Sequence, residues 1–244
     1  MTNFANYTHI LLDALANNPR LQDVVARKHE IITSVYDFHN VAPASTLYVG
    51  FNPAILNATN TVTVTACTPE VIDYLNSESV SFDYVNFEDL PNYRKSFDSV
   101  VAFDEFFTFG TTDTEQQDNI KTICQCARQV VISTVRDYKN QDFKEKEFSV
   151  PALIRNSGDN VIYMEFHDWS IKDRAAWSTM VYEIQHPETA MTAHGPFERR
   201  TMYFKQLAKF SMDAGATHFQ VHKNLMYKSL IKKNYEHVVS IIFD

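Results

Sequence analysis

Between residues 46 and 138, short β-branched apolar runs alternate with stretches of helical spacing. Thr46-Leu47-Tyr48-Val49-Gly50 and Thr61-Val62-Thr63-Val64-Thr65 are the first two strand candidates. Thr68-Pro69-Glu70 then opens a helix, with threonine at the N-cap and proline at the first helical position; Val71, Ile72 and Leu75 supply its apolar stripe. A third strand is expected over Val80 to Val85 and a fourth over Phe97 to Phe103, ending at Asp104-Glu105. Thr112-Asp113-Thr114-Glu115 has the form of a capping box, and Ile120, Ile123 and Ala127 follow at helical spacing. Gln129 to Val135 is the fifth strand, leading into Arg136-Asp137-Tyr138. Apolar strands alternating with helices predict a mostly parallel sheet covered on both faces, with ligands at the carboxyl ends of its strands.

The flanks read differently. Residues 1–40 carry two helical stripes: Phe4, Tyr7, Leu11 and Leu15, then Leu21, Val24/Val25, Lys28, Ile31/Ile32, Val35 and Phe38. Asn17-Asn18-Pro19 separates them. Val161 to Trp169 and Trp177 to Gln185 are strand-like and predict an antiparallel excursion over about 159–186, rich in Tyr163, Phe166, Trp169, Trp177 and Tyr182. The tail predicts a helix near 198–214, stopped by Ala214-Gly215. Strands at 217–223 and 237–243 follow, joined through Asn224 to Glu236, the last antiparallel to its neighbours.

Several of these pieces together resemble the class I S-adenosylmethionine-dependent methyltransferases. Leu47-Tyr48-Val49-Gly50 stands where that family has its glycine motif, and Thr68-Pro69-Glu70 is similar to its turn after the second strand. Glu88-Asp89-Leu90-Pro91, Ser96-Phe97-Asp98-Ser99-Val100, Val131-Ile132-Ser133-Thr134 and Asp213-Ala214-Gly215-Ala216-Thr217 follow in the family's order. The resemblance spans about 45–244. It implies a Rossmann-like three-layer αβα sandwich with a seven-stranded, mostly parallel sheet, an antiparallel last strand and an antiparallel β insertion. It also implies a helical lid over 1–40 and a methyltransferase-like domain over 41–244. S-adenosylmethionine is the implied cofactor, with Tyr48, Gly50, Asn52, Ala66, Cys67, Asn86, Phe87 and Phe103 as its expected neighbours. Asp104, Glu105, Asp137, Tyr138 and His167 are the candidate catalytic groups, and Arg136 and Trp169 the candidate substrate contacts. The crevice is expected between the turns 50–54, 66–67, 86–87, 103–105 and 135–138. The chain departs from the family where a ribose-gripping acid would stand, at Ala66, and where further glycines would stand, at Asn52 and Ala54. Those departures keep an alternative open, a non-catalytic methyltransferase-like binding or assembly protein.

Composition narrows the choice. Five glycines in 244 residues is well below the usual fraction of about 7%, which disfavours glycine-rich phosphate loops. Cys67, Cys124 and Cys126 are too few for a disulfide framework, and the nine histidines make no paired-ligand spacing, so no metal is expected. No leader or membrane span is evident, so a soluble, cytoplasmic protein is expected. The net charge is −8, yet residues 199–233 hold eight Lys/Arg against Asp213 alone. Their spacing fits the solvated face of a helix. Nucleic acid is a disfavoured partner, and a small-molecule acceptor with an O or N nucleophile is the expected substrate.

Overall fold

The computed structural model describes residues 1–16, 21–136, 146–148, 152–155, 160–169, 175–186, 190–228 and 235–244. Two helices lead, α1 (Thr2–Ala16) and α2 (Leu21–His39). The alternating unit follows as β1 (Ser45–Val49), β2 (Thr61–Thr65), α3 (Pro69–Ser77), β3 (Phe82–Tyr84), β4 (Phe97–Ala102), α4 (Asp113–Cys126) and β5 (Ala127–Val135). The caps form as the sequence predicts. Thr68 Oγ1 accepts from the Val71 amide at 3.4 Å, and Thr112 Oγ1 from the Glu115 amide at 3.1 Å. Glu115 reaches back to the Thr111 amide at 2.8 Å, one residue earlier than the capping-box pattern implies.

One sheet runs in the order β11-β12-β5-β4-β1-β2-β3, with β11 at His218–Lys228 and β12 at Tyr235–Ile242. Strands β1 to β5 are parallel, while β12 inserts between β5 and β11 and is antiparallel to both. Strand alternation divides the core in two. Val49, Val100, Ala102 and Val131 face α1, α4 and the last helix, α5 (Phe204–Asp213). Tyr48, Val62, Val64, Val101 and Ile132 face α2 and α3. Each such buried aliphatic contributes about 1.5–3 kcal/mol over leaving it exposed. Gly215, at φ +100°, ends α5 in the left-handed region as expected.

The insertion is larger than the pattern implied. Its sheet has the order β10-β9-β8-β6, from Lys146–Phe148 (β6), Asn160–Trp169 (β8), Ala176–His186 (β9) and Ala190–Arg200 (β10); β7 (Ala152–Arg155) also pairs with β8. β10 takes the residues where the final helix was expected to begin. Likewise 224–228 and 235–236, expected within the link, extend the last two strands. Phe38, placed on the apolar stripe of the second helix, is 64% exposed.

Candidate functional site

The carboxyl ends of β1, β2 and β4 converge beneath α1, and each turn there adopts a left-handed residue. Gly50 has φ +71°, Ala66 +53°, Asp104 +57° and Glu105 +57°. For the three non-glycines such geometry costs on the order of 1–3 kcal/mol each and persists only where surroundings impose it. The turn after β1 leaves the path of a glycine loop. Pro53 opens a short 3-10 helix, and Asn52 caps it by accepting from the Ala54 amide at 3.0 Å. Asn52 Nδ2 and Thr65 Oγ1 are buried without a hydrogen-bond partner, at two neighbouring strand ends.

The volume in front of this turn belongs to α1. A Cβ built on Gly50 would lie 2.5 Å from Phe4 Cε1 and 2.8 Å from Thr8 Cγ2, so Phe4 rests on bare backbone. Phe4 meets Phe106 and Phe109 edge-on, both at 4.9 Å between centroids. Ala66, Val85 and Tyr7 join the same apolar cluster. Two clefts flank α1. One, about 300 Å³, is lined by Asn3, Asn6, His9, Asp13 and 194–197; the other, about 220 Å³, by Met1 to Phe4, 109–111, Glu115 and Glu198. Among the described residues, Phe4 and Thr8 of α1 fill the space against the turn after β1, one of the five expected to bound the crevice.

Beside that apolar plug lies a buried ionic seam. Lys28, on the apolar stripe of α2, reaches Asp104 at 3.5 Å, both almost fully buried. Burial lowers the lysine pKa, while Asp104 and then Glu236 oppose that. Arg136 Nη2 donates to Glu105 Oε2 at 3.1 Å, and Arg199 Nη1 approaches the same oxygen at 3.5 Å. Three aromatic faces enclose the Arg199 guanidinium: Phe109 at 4.1 Å, Tyr7 at 4.5 Å and Trp177 at 5.1 Å. Such cation–π contacts strengthen when desolvated. Tyr7 donates to Glu165 at 2.7 Å, and Glu165 stands 3.5 Å from His167 Nε2.

The expected site residues therefore sort into groups. Gly50, Asn52 and Ala66 meet beneath α1; Asp104, Glu105, Arg136, His167 and Trp169 meet in or beside the seam, Trp169 stacking on Trp177 at 4.8 Å. Tyr48 and Phe103 lie in the core on the α2 side. Cys67 is also in that core, its thiol pushed up to about 12 by burial. Asn86 is exposed and donates to Asp89 at 3.3 Å, capping no helix with its side chain, while Phe87 packs near Phe106. Asp137 and Tyr138 lie outside the described residues. Of the basic tail, Lys205 and Lys209 are exposed on α5 as expected, whereas Arg199 is fully buried and Arg200 pairs with Asp113 at 2.8 Å.

Glu165, Glu236 and Arg199 are the seam members that the pattern did not single out. A signal existed for Glu165, which shares one strand face with His167 two residues later. Lys28 on an apolar helical stripe was another. Among the described residues no group of three or more His, Cys, Asp or Glu is placed to hold a metal, and no helix is long and apolar enough to cross a membrane.

No family model matches the sequence, and no curated protein does. Solved structures do. An S-adenosylmethionine-dependent methyltransferase from Clostridium acetobutylicum superposes with a TM-score of 0.67 at 12% identity, covering 97% of both chains. The chain has the class I methyltransferase fold. The sugar N-methyltransferase KedS8 of Streptoalloteichus gives a TM-score of 0.68 at 8% identity, over 90% of this chain and 87% of that one. Streptomyces venezuelae DesVI gives 0.66 at 11%, over 92% and 94%.

Proposed function

We propose that this protein is an S-adenosylmethionine-dependent methyltransferase that acts on an O or N nucleophile of a small molecule, with α1 as the cover of its crevice. The observation that carries this reading is the pair of buried, unpartnered polar atoms, Asn52 Nδ2 and Thr65 Oγ1, at the turns where this fold receives its ligands. Each such group costs about 1–3 kcal/mol when nothing satisfies it. Left-handed Ala66, Asp104 and Glu105 add strain at the same strand ends.

The polar complement suits a nucleoside with a neutral grip: an amide at Asn52, a hydroxyl at Thr65 and an exposed carboxamide at Asn86. Ala66 offers no carboxylate to ribose hydroxyls, which favours weak binding. The volume suits it only when Phe4 and Thr8 withdraw from Gly50. When bound, S-adenosylmethionine supplies the electrophilic methyl group; the chain supplies approach, orientation and dryness. Trp169 and Trp177 exclude water beside the seam, and Arg136 is held in place by Glu105. His167, with Glu165 beside it, is arranged to accept a proton from an acceptor nucleophile whenever its imidazole is neutral. The small-molecule acceptor draws support from the sugar methyltransferase among the fold's neighbours. Three buried, unpaired thiols suit a reducing compartment such as the cytoplasm.

A second reading, a non-catalytic binding or assembly protein, is favoured by the Phe4 ring against Gly50. Calorimetric titration with S-adenosylmethionine and S-adenosylhomocysteine separates the two. Weak but saturable binding by the natural chain supports the enzyme. If the natural chain, Ala66→Asp and Phe4→Ala all ignore millimolar ligand, the second reading replaces the first.

A further inference from the structure

The contact between α1 and the insertion sheet carries titratable groups at two depths. At the deep level, the Tyr7 hydroxyl donates to Glu165 at 2.7 Å. His167 Nε2 lies 3.5 Å from the other Glu165 oxygen, and its Nδ1 lies 3.2 Å from Thr179 Oγ1. Both ring nitrogens thus face oxygens that can accept. An imidazolium, with a proton on each nitrogen, satisfies both contacts at once and neutralises a carboxylate that is fully buried. Among the described residues, charges near this pair include Arg199, over the Tyr7 ring, and Arg136 with Glu105; His167 itself meets Trp177 edge-on at 5.1 Å.

The rim repeats the arrangement with more water. His9 of α1 lies 3.6 Å from Asp13 and 3.9 Å from Glu70 of α3. His194 of β10 lies 3.4 Å from Glu183 of β9. Burial raises the Asp13 pKa, with the charge of His9 opposing it and that of Glu183 adding to it. Tyr163 of β8 is near enough to Glu183 and Asp13 to feel both, after burial, as a raised pKa. Asp13, Glu70 and Glu183 face one another across the α1 edge. At 30% side-chain exposure for both histidines, salt screens much of this outer set.

We propose that α1 is a proton-operated latch: His167, doubly protonated against Glu165 and Thr179 while Tyr7 caps the carboxylate, holds α1 shut over the turn after β1. When α1 lifts, Tyr7 leaves and water reaches Glu165, so the need for the second imidazole proton falls. The closed form therefore binds a proton that the open form releases. Closure is complete at mildly acidic pH and weakens as pH rises through the histidine range, between about 5 and 8. The biological use of the latch rests on the reading of the crevice as a ligand site, but the latch itself is defined without any ligand.

Hydrogen exchange of residues 2–16, measured from pH 6 to 8 without cofactor and corrected for intrinsic rates, tests it. One linked proton permits at most about a tenfold rise in opening per pH unit. We expect at least a tenfold rise across the range in the natural chain. His167→Gln should reduce that rise to less than twofold, whereas His9→Gln with His194→Gln should leave most of it. Amides of β1 and β4 report whether each variant is folded. Should His167→Gln lose that core protection, Tyr7→Phe takes its place and must raise opening at pH 6. A flat profile in the natural chain, an unchanged slope in folded His167→Gln, or unchanged opening in Tyr7→Phe overturns the latch. Failure to bind S-adenosylmethionine touches only the preceding proposal, and a flat profile only this one.

Discussion

In the middle of the seven-stranded sheet, β4 and β5 present Val100, Val101, Val131 and Ile132 to two dry cores. A few residues further on, the same pair of strands ends in Asp104, Glu105 and Arg136, equally buried but ionic. The middle is held by non-directional burial, which tolerates change of shape in small steps. The edge is held by charges that are stable only as a set, because each removed partner strands another in a low-dielectric surround. The contrast separates what builds this fold from what is placed on it.

The largest expected effect follows directly. Glu105→Ala removes the buried carboxylate that Arg136 and Arg199 share and should cost about 3–5 kcal/mol, whereas Ile132→Val in the sheet's middle should cost about 0.5–1.5. Urea denaturation of both variants decides it. A smaller loss for Glu105→Ala than for Ile132→Val would mean that water reaches the seam and that the contrast is false.

Phe4→Ala comes next and tests the plug. Removing a buried phenylalanine should cost about 3 kcal/mol at this chain end. The same change frees the face of Gly50, so S-adenosylmethionine should bind more tightly to the variant than to the natural chain. A loss of stability with no gain in binding would make α1 plain core, like the middle of the sheet.

The middle was legible from residue pattern because period-two apolar runs such as Thr61 to Thr65 have few alternative structures. Thr68 and Thr112 likewise announced their helices through caps that local chemistry dictates. The edge was legible only in part. Asp104, Glu105, Arg136 and His167 were picked out by position, but Lys28 reaches Asp104 from α2 and Arg199 reaches Glu105 from β10, both far away along the chain. Arg199 read as one of eight basic residues in a solvated stripe, because a charge gives no local sign that three aromatic rings will enclose it. Tyr48 and Phe103 sit in the α2-side core for a simpler reason. Strand alternation sends neighbours to opposite faces, and the position of a motif does not say which face its side chain takes. The third long strand of the insertion was missed because Ala190-Met191-Thr192-Ala193 has no apolar alternation to mark it.

Ala66→Asp sharpens the comparison from the other side by returning a charge to an edge turn that lacks one. Aspartate tolerates the left-handed conformation that Ala66 occupies, so the backbone should not resist the change. A carboxylate accepting from ribose hydroxyls is worth roughly 1.5–3 kcal/mol, about 10- to 100-fold in affinity. Calorimetry that finds equal affinities in both proteins would show that ribose does not lie at this turn.

The smallest effect concerns a charge outside the seam, at the amino end of β4. Asp98 accepts from the Ala44 amide at 2.9 Å, from the Ser45 amide at 3.2 Å and from Arg128 at 3.1 Å. Burial pushes its pKa up, but the Ala44 amide, Arg128 and the Ser45 amide outweigh burial and hold it below the ordinary aspartate value. The folded pKa is thus depressed relative to the unfolded one. Its stabilisation is fully present above the unfolded value of about 3.9 and is lost as pH falls through the folded value. Asp98→Asn keeps the shape and removes the charge, so it should cost about 1 kcal/mol at pH 7. The gap between variant and natural chain should close as the pH drops below about 3.9. Arg128 is half exposed, so salt should narrow the gap at pH 7 as well. Glu105→Ala, whose partners are dry, should show no such salt dependence. Equal salt sensitivity in the two variants would place both charges in the same solvent environment and remove the distinction between the ends of β4.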